Sequence, residues 1–330
     1  MPDMSAPIKL GANCWNQYTD WPAFLAAMQR AEDLGYESLW TWDHVYPIVG
    51  SWEGPILEAY TAMSAVAALT STATIGLLVG ANTFRNPAVV AKMITTMDLI
   101  SDGRAVLGIG GAWFEVEHTA FGIEFGTGFP ERLRWLSQAL PIMRGMLDGT
   151  EPTVTEGRYR TESVRNDPPP VQAHLPILIG GTGRKVTLKL TAQYADMYNM
   201  GNGDIEDARD VEATLVEHCR TVGRDDREIE RTVELQRVII RDSREEAFRV
   251  QDEILAHNGG AEVDEDRPKS ATLEANRGCV GTVDDVVEHC RPYIELGYRH
   301  LICCYPSPFD EESMTRMATE VRPRLEALIS

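Results

Sequence analysis

The stretch that most narrows what this chain can fold into is residues 74–118, TIGLLVGANTFRNPAVVAKMITTMDLISDGRAVLGIGGAWFEVEH. Residues 74–79 form a short apolar run, and 80–86 lack a helical period and are rich in small polar side chains. Pro87 then opens a helix at its first position, where the missing N–H does no harm. Ala88, Ala91, Ile94, Thr95 and Leu99 recur at helical spacing, and Ser101-Asp102-Gly103 stops the helix. A second buried run, 104–109, leads into Gly110-Gly111-Ala112-Trp113. Two apolar strands joined by a helical crossover make a βαβ unit, so they run parallel and are covered on both faces. The loops after the two strands, 80–85 and 110–118, therefore fall at one end of the sheet. Chemistry is expected there.

The same alternation runs through the rest of the chain. Strands are expected at 8–13, 37–42, 74–79, 104–109, 176–179, 195–199, 232–240 and 300–305. Between them lie helices at 21–34, around Tyr60, Met63 and Leu69, and at 129–147, 184–193, 206–222, 244–257 and 282–296, with a last helix at 311–328. Eight strands alternating with helices is the count of a (β/α)8 TIM barrel, and 330 residues suit one such domain with loop insertions at its C-terminal face. A doubly wound sheet is disfavoured because no GxGxxG follows the first strand. Four segments depart from the alternation: 45–58, 111–128, 151–170 and 258–277. The third reads as a small hairpin of 153–155 and 158–160, and the fourth as an acidic, aperiodic, mobile loop.

A net charge of −19 argues against nucleic acid or an anionic membrane as partner. No run approaches the roughly 20 apolar residues that span a bilayer. The opening MPDMSAPIKLG lacks a basic head and an apolar signal core. Six cysteines without a CxxC pair suggest reduced thiols. Together these make the cytoplasm the expected location. No metal-ligand spacing stands out, so no metal is expected.

Four groups could carry chemistry. Gly180-Gly181-Thr182-Gly183, between a strand and a helix, could cradle a phosphate, with Arg184 and Lys185 adding charge; it could equally be a tight barrel turn. Asp43-His44 ends the second strand, where a carboxylate or imidazole could bind a cofactor ring or move a proton. Trp113, beside bare glycine backbone, could stack on a planar ligand or plug the core. Glu117-His118 could be an acid–base pair or the polar start of a helix.

At these residues the chain resembles the luciferase-like monooxygenase superfamily, and within it the branch of F420-dependent oxidoreductases. The resemblance is carried by "LWTWDHVYP", by the long run from "GPILEAY" to "EHTAFGI" and by "LPILIGGTGRKVTLKLTAQYADMYN". It implies a barrel with a deazaflavin, F420, at the C-terminal strand ends, with FMN as the alternative. It implies a bulge at Leu78-Val79-Gly80, often with a non-prolyl cis peptide, against the cofactor ring. It implies that Asp43, Asn82, Gly110 and Gly111 contribute to the cofactor pocket and that Gly180, Gly181, Thr182, Gly183 and Arg184 hold its phosphate. Asp43, His44 and Trp113 would shape the reacting side, with His44 the proton donor. The expected activity is hydride transfer between F420 and a small organic substrate, in the reducing direction. An FMN-dependent monooxygenase fed by a separate reductase is the alternative. Sugar-phosphate and alcohol dehydrogenases of the superfamily carry glutamate where this chain has Trp113, tryptophan where it has Ile48, and lysine near Asn202. A homodimer through helices near the third and fourth strands is also implied.

Overall fold

The computed structural model describes residues 6–201, 205–259 and 279–329. Eight parallel strands close into a barrel: β1 (Lys9–Cys14), β2 (Ser38–Thr41), β3 (Thr74–Leu77), β4 (Ala105–Gly110), β5 (Ile177–Gly180), β6 (Met197–Met200), β7 (Glu230–Leu235) and β8 (His300–Tyr305). Each strand pairs with the next in chain order, and β8 returns to β1 with Lys9 opposite His300 and Cys14 opposite Tyr305. Closure leaves no strand edge among the eight.

Helices cover the outside for legible local reasons. Asp20 accepts the Ala23 N–H at the start of Trp21–Asp33, and Asn86 accepts the Ala88 N–H at the start of Pro87–Ser101. Asp102 ends the latter in the left-handed region, at φ 55°. Thr282 and Asp285 form a capping box on Val283–Glu295. All six cysteines are buried and free.

Trp40 fills the middle of the barrel with Leu78, Val106, Leu178, Met197 and Ile302. Its bulk requires glycine at position 76 on β3, and with Ser38 Oγ, 2.5 Å from an added Cβ, it crowds Gly11 on β1. A Cβ on Gly76 would lie 2.5 Å from the indole, and one on Gly11 would lie 3.1 Å from its nitrogen. The N-terminal strand ends are closed by a polar chain. Trp40 Nε1 donates to Ser38 Oγ (2.6 Å), which bonds His300 Nε2 (2.7 Å), and His300 Nδ1 donates to Glu230 (3.0 Å), which also takes Lys9 Nζ (3.0 Å). Only the C-terminal end is left open.

β3 stops at Leu77, and pairing with β4 resumes at Gly80–Ala81. The two residues between them form the expected bulge, and the Leu78–Val79 peptide is cis. The glycines of β4 serve this bulge. A Cβ on Gly108 would lie 1.8 Å from the Leu77 carbonyl oxygen, and one on Gly110 would lie 2.7 Å from a Val79 methyl.

Several expectations are corrected. The strand expected at 232–240 is two pieces: β7 ends at Leu235, Arg237 takes φ 49°, and Ile239–Ile240 pairs with Val280–Gly281 in a separate small sheet. Ile239 and Val280 bury against Ala247 and Ile254, a satellite cluster that draws the chain off the barrel. The helix expected from 184 begins at Thr187. The hairpin reduces to one antiparallel bridge, Val154 with Thr161. The last helix is interrupted by a π turn at Met317–Val321, just before Pro323. Of the expected loop at 258–277, residues 260–277 lie outside the described residues.

Candidate active site

The open end of the barrel holds a cavity of about 500 Å³. Leu78 and Val79 enter it from the bulge, with Gly80 behind them. Asp43 and His44 reach it from the end of β2, Gly110, Gly111 and Trp113 from the end of β4, and Gly180, Gly181 and Thr182 from the end of β5. Four consecutive strands thus deliver their tips to one hollow. Asn82, Gly183 and Arg184, expected there as well, do not line it. The Asn82 amide is buried against the Tyr159 hydroxyl (3.3 Å), and the Arg184 guanidinium is held by Asp207 and by Asp210 (2.9 Å). A Cβ on Gly183 would sit 2.7 Å from Thr187 Oγ1, so that glycine answers to packing. Asn202 lies outside the described residues.

Asp43 is 2% exposed and fully used. Its carboxylate accepts the Ala81 N–H (2.9 Å) and both terminal nitrogens of Arg85 (2.6 and 3.0 Å). Arg85 also reaches Glu58 (2.6 Å) and lies over the Tyr60 ring. Burial pushes the Asp43 carboxyl above the ordinary range, opposed by the Arg85 charge. Arg85 itself, though burial works against its charge, is raised by Asp43. Asp43 thereby ties the end of β2 to the strand that resumes after the bulge.

His44 Nδ1 donates to Glu117 Oε1 (2.8 Å), and Glu117 Oε2 takes the Val45 N–H (3.0 Å). This fixes the ring's orientation and its tautomer. Nε2 makes no hydrogen bond among the described residues and is the nitrogen left for a ligand. The Trp113 ring meets the imidazole edge-on at 5.4 Å between centroids. Glu117 and His118 are not a pair: His118 turns to Phe114 O (2.7 Å) and Thr83 Oγ1 (2.6 Å), and burial lowers its pKa.

Sequence reading missed the far wall. Trp15 and Trp42 pack ring on ring at 4.8 Å, and Glu234, Gln236, Arg237, Cys304 and Asp207 also face the cavity. Burial raises the Glu234 carboxyl and lowers the Arg237 guanidinium. The sequence signal for Glu234 was weak, because its strand reads Glu230-Arg231-Thr232-Val233-Glu234-Leu235 and Glu234 is one of three charges in it.

Residues 5–300 match the family model described as luciferase-like monooxygenase. The chain belongs to this family. Among its relatives is an F420-dependent glucose-6-phosphate dehydrogenase of Amycolatopsis mediterranei (strain U-32). It is 27% identical over 317 residues, covering 91% of this chain and 93% of the relative. Among solved structures, an F420-dependent secondary alcohol dehydrogenase in complex with an F420–acetone adduct superposes with a TM-score of 0.79, at 21% identity, over 97% of this chain and 99% of that one. A long-chain alkane monooxygenase superposes with a TM-score of 0.77, at 16% identity, over 98% and 92%. These two likenesses concern the fold.

The residues present suit a flavin-type group of this luciferase-like family. The hollow has an apolar floor at Leu78 and Val79, and its volume is in the range of small-molecule sites. At the β5 tip, the N–H groups of Thr182 and Gly183 donate to no other described residue, as a phosphate cradle requires.

Proposed function

We propose that this chain is an oxidoreductase that moves hydride between F420 and a small organic substrate, working as a reductase. The observation that carries the reading is the convergence of the β2–β5 tips on one hollow, with His44 Nε2 left open inside it. Relatives of nearly equal length that are F420-dependent dehydrogenases support the choice of cofactor. When bound, the deazaflavin supplies or accepts the hydride. Leu78 and Val79 would buttress one face of the ring, and the Gly180–Gly183 turn would receive the phosphate through the N–H groups of Thr182 and Gly183.

Asp43 holds the Ala81 N–H and so fixes the strand that carries the bulge. His44 presents Nε2 to the substrate heteroatom as the proton donor, while the Glu117 carboxylate on Nδ1 orients the ring. Trp113 and the Trp15–Trp42 pair keep water from the reacting end. This chain has Trp113 where the sugar-phosphate and alcohol dehydrogenases carry a glutamate, and Ile48 where they carry a tryptophan, and this supports reduction over alcohol oxidation.

The test is equilibrium binding of F420 against FMN, then oxidation of reduced F420 with a panel of unsaturated carbonyls, imines and nitroaromatics. F420 binding with turnover that His44→Asn abolishes is expected. Tight FMN binding with oxygen uptake would replace this reading with a monooxygenase. We further propose that two copies pair through the helix Pro87–Ser101, whose Val89 (52% exposed) and Ile100 (44%) lie on one face.

A further inference from the structure

The cavity wall carries four carboxylates, and three of them have their own cationic or imidazole partner. Asp43 has Arg85 at 2.6 Å, Glu117 has His44 at 2.8 Å, and Asp207 has Arg184. Glu234 is the exception. It stands on β7, separated from β2 by β8 and β1. Its Oε1 accepts from Asn13 Nδ2 (3.2 Å) and Cys304 Sγ (3.0 Å), both neutral groups. Its Oε2 has no hydrogen-bond partner among the described residues, yet it is not sealed in the protein; it opens onto the cavity. Arg237 shares the wall but is not among the groups that bond Glu234.

A largely buried carboxylate whose partners among the described residues are all neutral is in a costly position, and burial accordingly favours its neutral form. Because Oε1 already accepts two donors, the open oxygen is the one that meets whatever enters. A ligand carrying positive charge and N–H donors supplies the partner the protein omits. We propose that Glu234 is a substrate-recognition residue: the cavity takes an organic molecule bearing a protonated nitrogen, which donates to Glu234 Oε2 while the rest of the molecule extends toward His44. This deepens the hydride-transfer reading, and rests on it only for what happens at the His44 end.

The probes are benzylammonium and the neutral benzyl alcohol, titrated by calorimetry at neutral pH into the protein alone and into the F420-loaded protein. The ammonium should bind about tenfold or more tightly than the alcohol, as a charge-assisted hydrogen bond implies. In Glu234→Gln that preference should fall below about threefold, with the affinity for the alcohol little changed. Glu234→Met, of similar length and without a formal charge, is the second variant should Gln unfold the protein. No preference in the wild type, or an undiminished preference in either folded variant, overturns the proposal. F420 affinity is read separately from deazaflavin fluorescence. Loss of F420 binding with the ammonium preference intact overturns the cofactor reading alone, and the opposite pattern overturns Glu234 alone.

Discussion

Arg85→Ala is the perturbation whose cost the structure defines best. It removes two hydrogen bonds, at 2.6 and 3.0 Å, from a carboxylate that is 2% exposed, and leaves only the Ala81 N–H on Asp43. Breaking one side of a buried pair costs about 3–5 kcal/mol. Coulomb attraction at ~4 Å with an effective dielectric constant near 20 gives a similar figure, about 4 kcal/mol. With an unfolding entropy of about 2.1 cal/mol/K per residue, this corresponds to a fall in Tm of about 4–7 °C for this chain.

The sign with pH follows from which form of Asp43 is left stranded. Arg85 lowers the Asp43 pKa against burial, so its removal raises that pKa further. The variant's deficit is then greatest at neutral and higher pH, and shrinks as acid neutralises the carboxyl. Urea unfolding between about pH 5 and pH 8 measures it, and Arg85→Ala with Asp43→Asn should recover most of the loss, because no uncompensated charge remains. A deficit below about 1 kcal/mol, or one flat across that range and unrelieved by Asp43→Asn, would refute a buried charge pair at this position.

Gly108→Ala should lower stability by at least about 3 kcal/mol and weaken F420 binding together, because its Cβ would lie 1.8 Å from the Leu77 carbonyl oxygen and only backbone movement at the bulge relieves that; thermal unfolding and fluorescence titration read the two effects. At the closed end of the barrel, burial raises Glu230, but His300 and Lys9 outweigh it and hold the carboxyl at about 2. A lowered carboxylate stabilises the fold above the ordinary range and loses that contribution as pH falls toward about 2. Glu230→Gln should therefore cost about 1–3 kcal/mol at neutral pH, discounted for partial exposure, and progressively less in acid; an acid-unfolding series checks this. Val89→Glu with Ile100→Glu should convert a dimer to a monomer in light scattering without changing the circular dichroism spectrum; a wild-type monomer would end the pairing proposal.

Much of the barrel was readable because its signals are local. The run 104–109 with its glycine tail, Pro87 after Asn86, and Ser101-Asp102-Gly103 each state a strand, a helix start or a helix stop within a few residues. The strand expected at 232–240 failed for the opposite reason. Residues 238–240 are as apolar as a strand, but Ile239 is buried by Val280, forty-one residues away, and no local pattern records that partner. The site divides in the same way. Asp43, His44 and the β5 glycines carry motif-level signals, whereas Glu117 became meaningful only on reaching His44 across 73 residues.

By itself the sequence determined the alternation of strands and helices, the parallel barrel that follows from it, and the strand tips at which a ligand is expected, because backbone propensity and apolar period act over a few residues. Tertiary structure alone decided that Gly108 and Gly110 make room for a bulge, that Arg184 is spent on Asp207 and Asp210, and that Glu234 faces the cavity with no cationic partner among the described residues. Those outcomes depend on which side chains meet across the barrel at ångström range, and burial and charge pairing are properties of that meeting rather than of the residues taken in order.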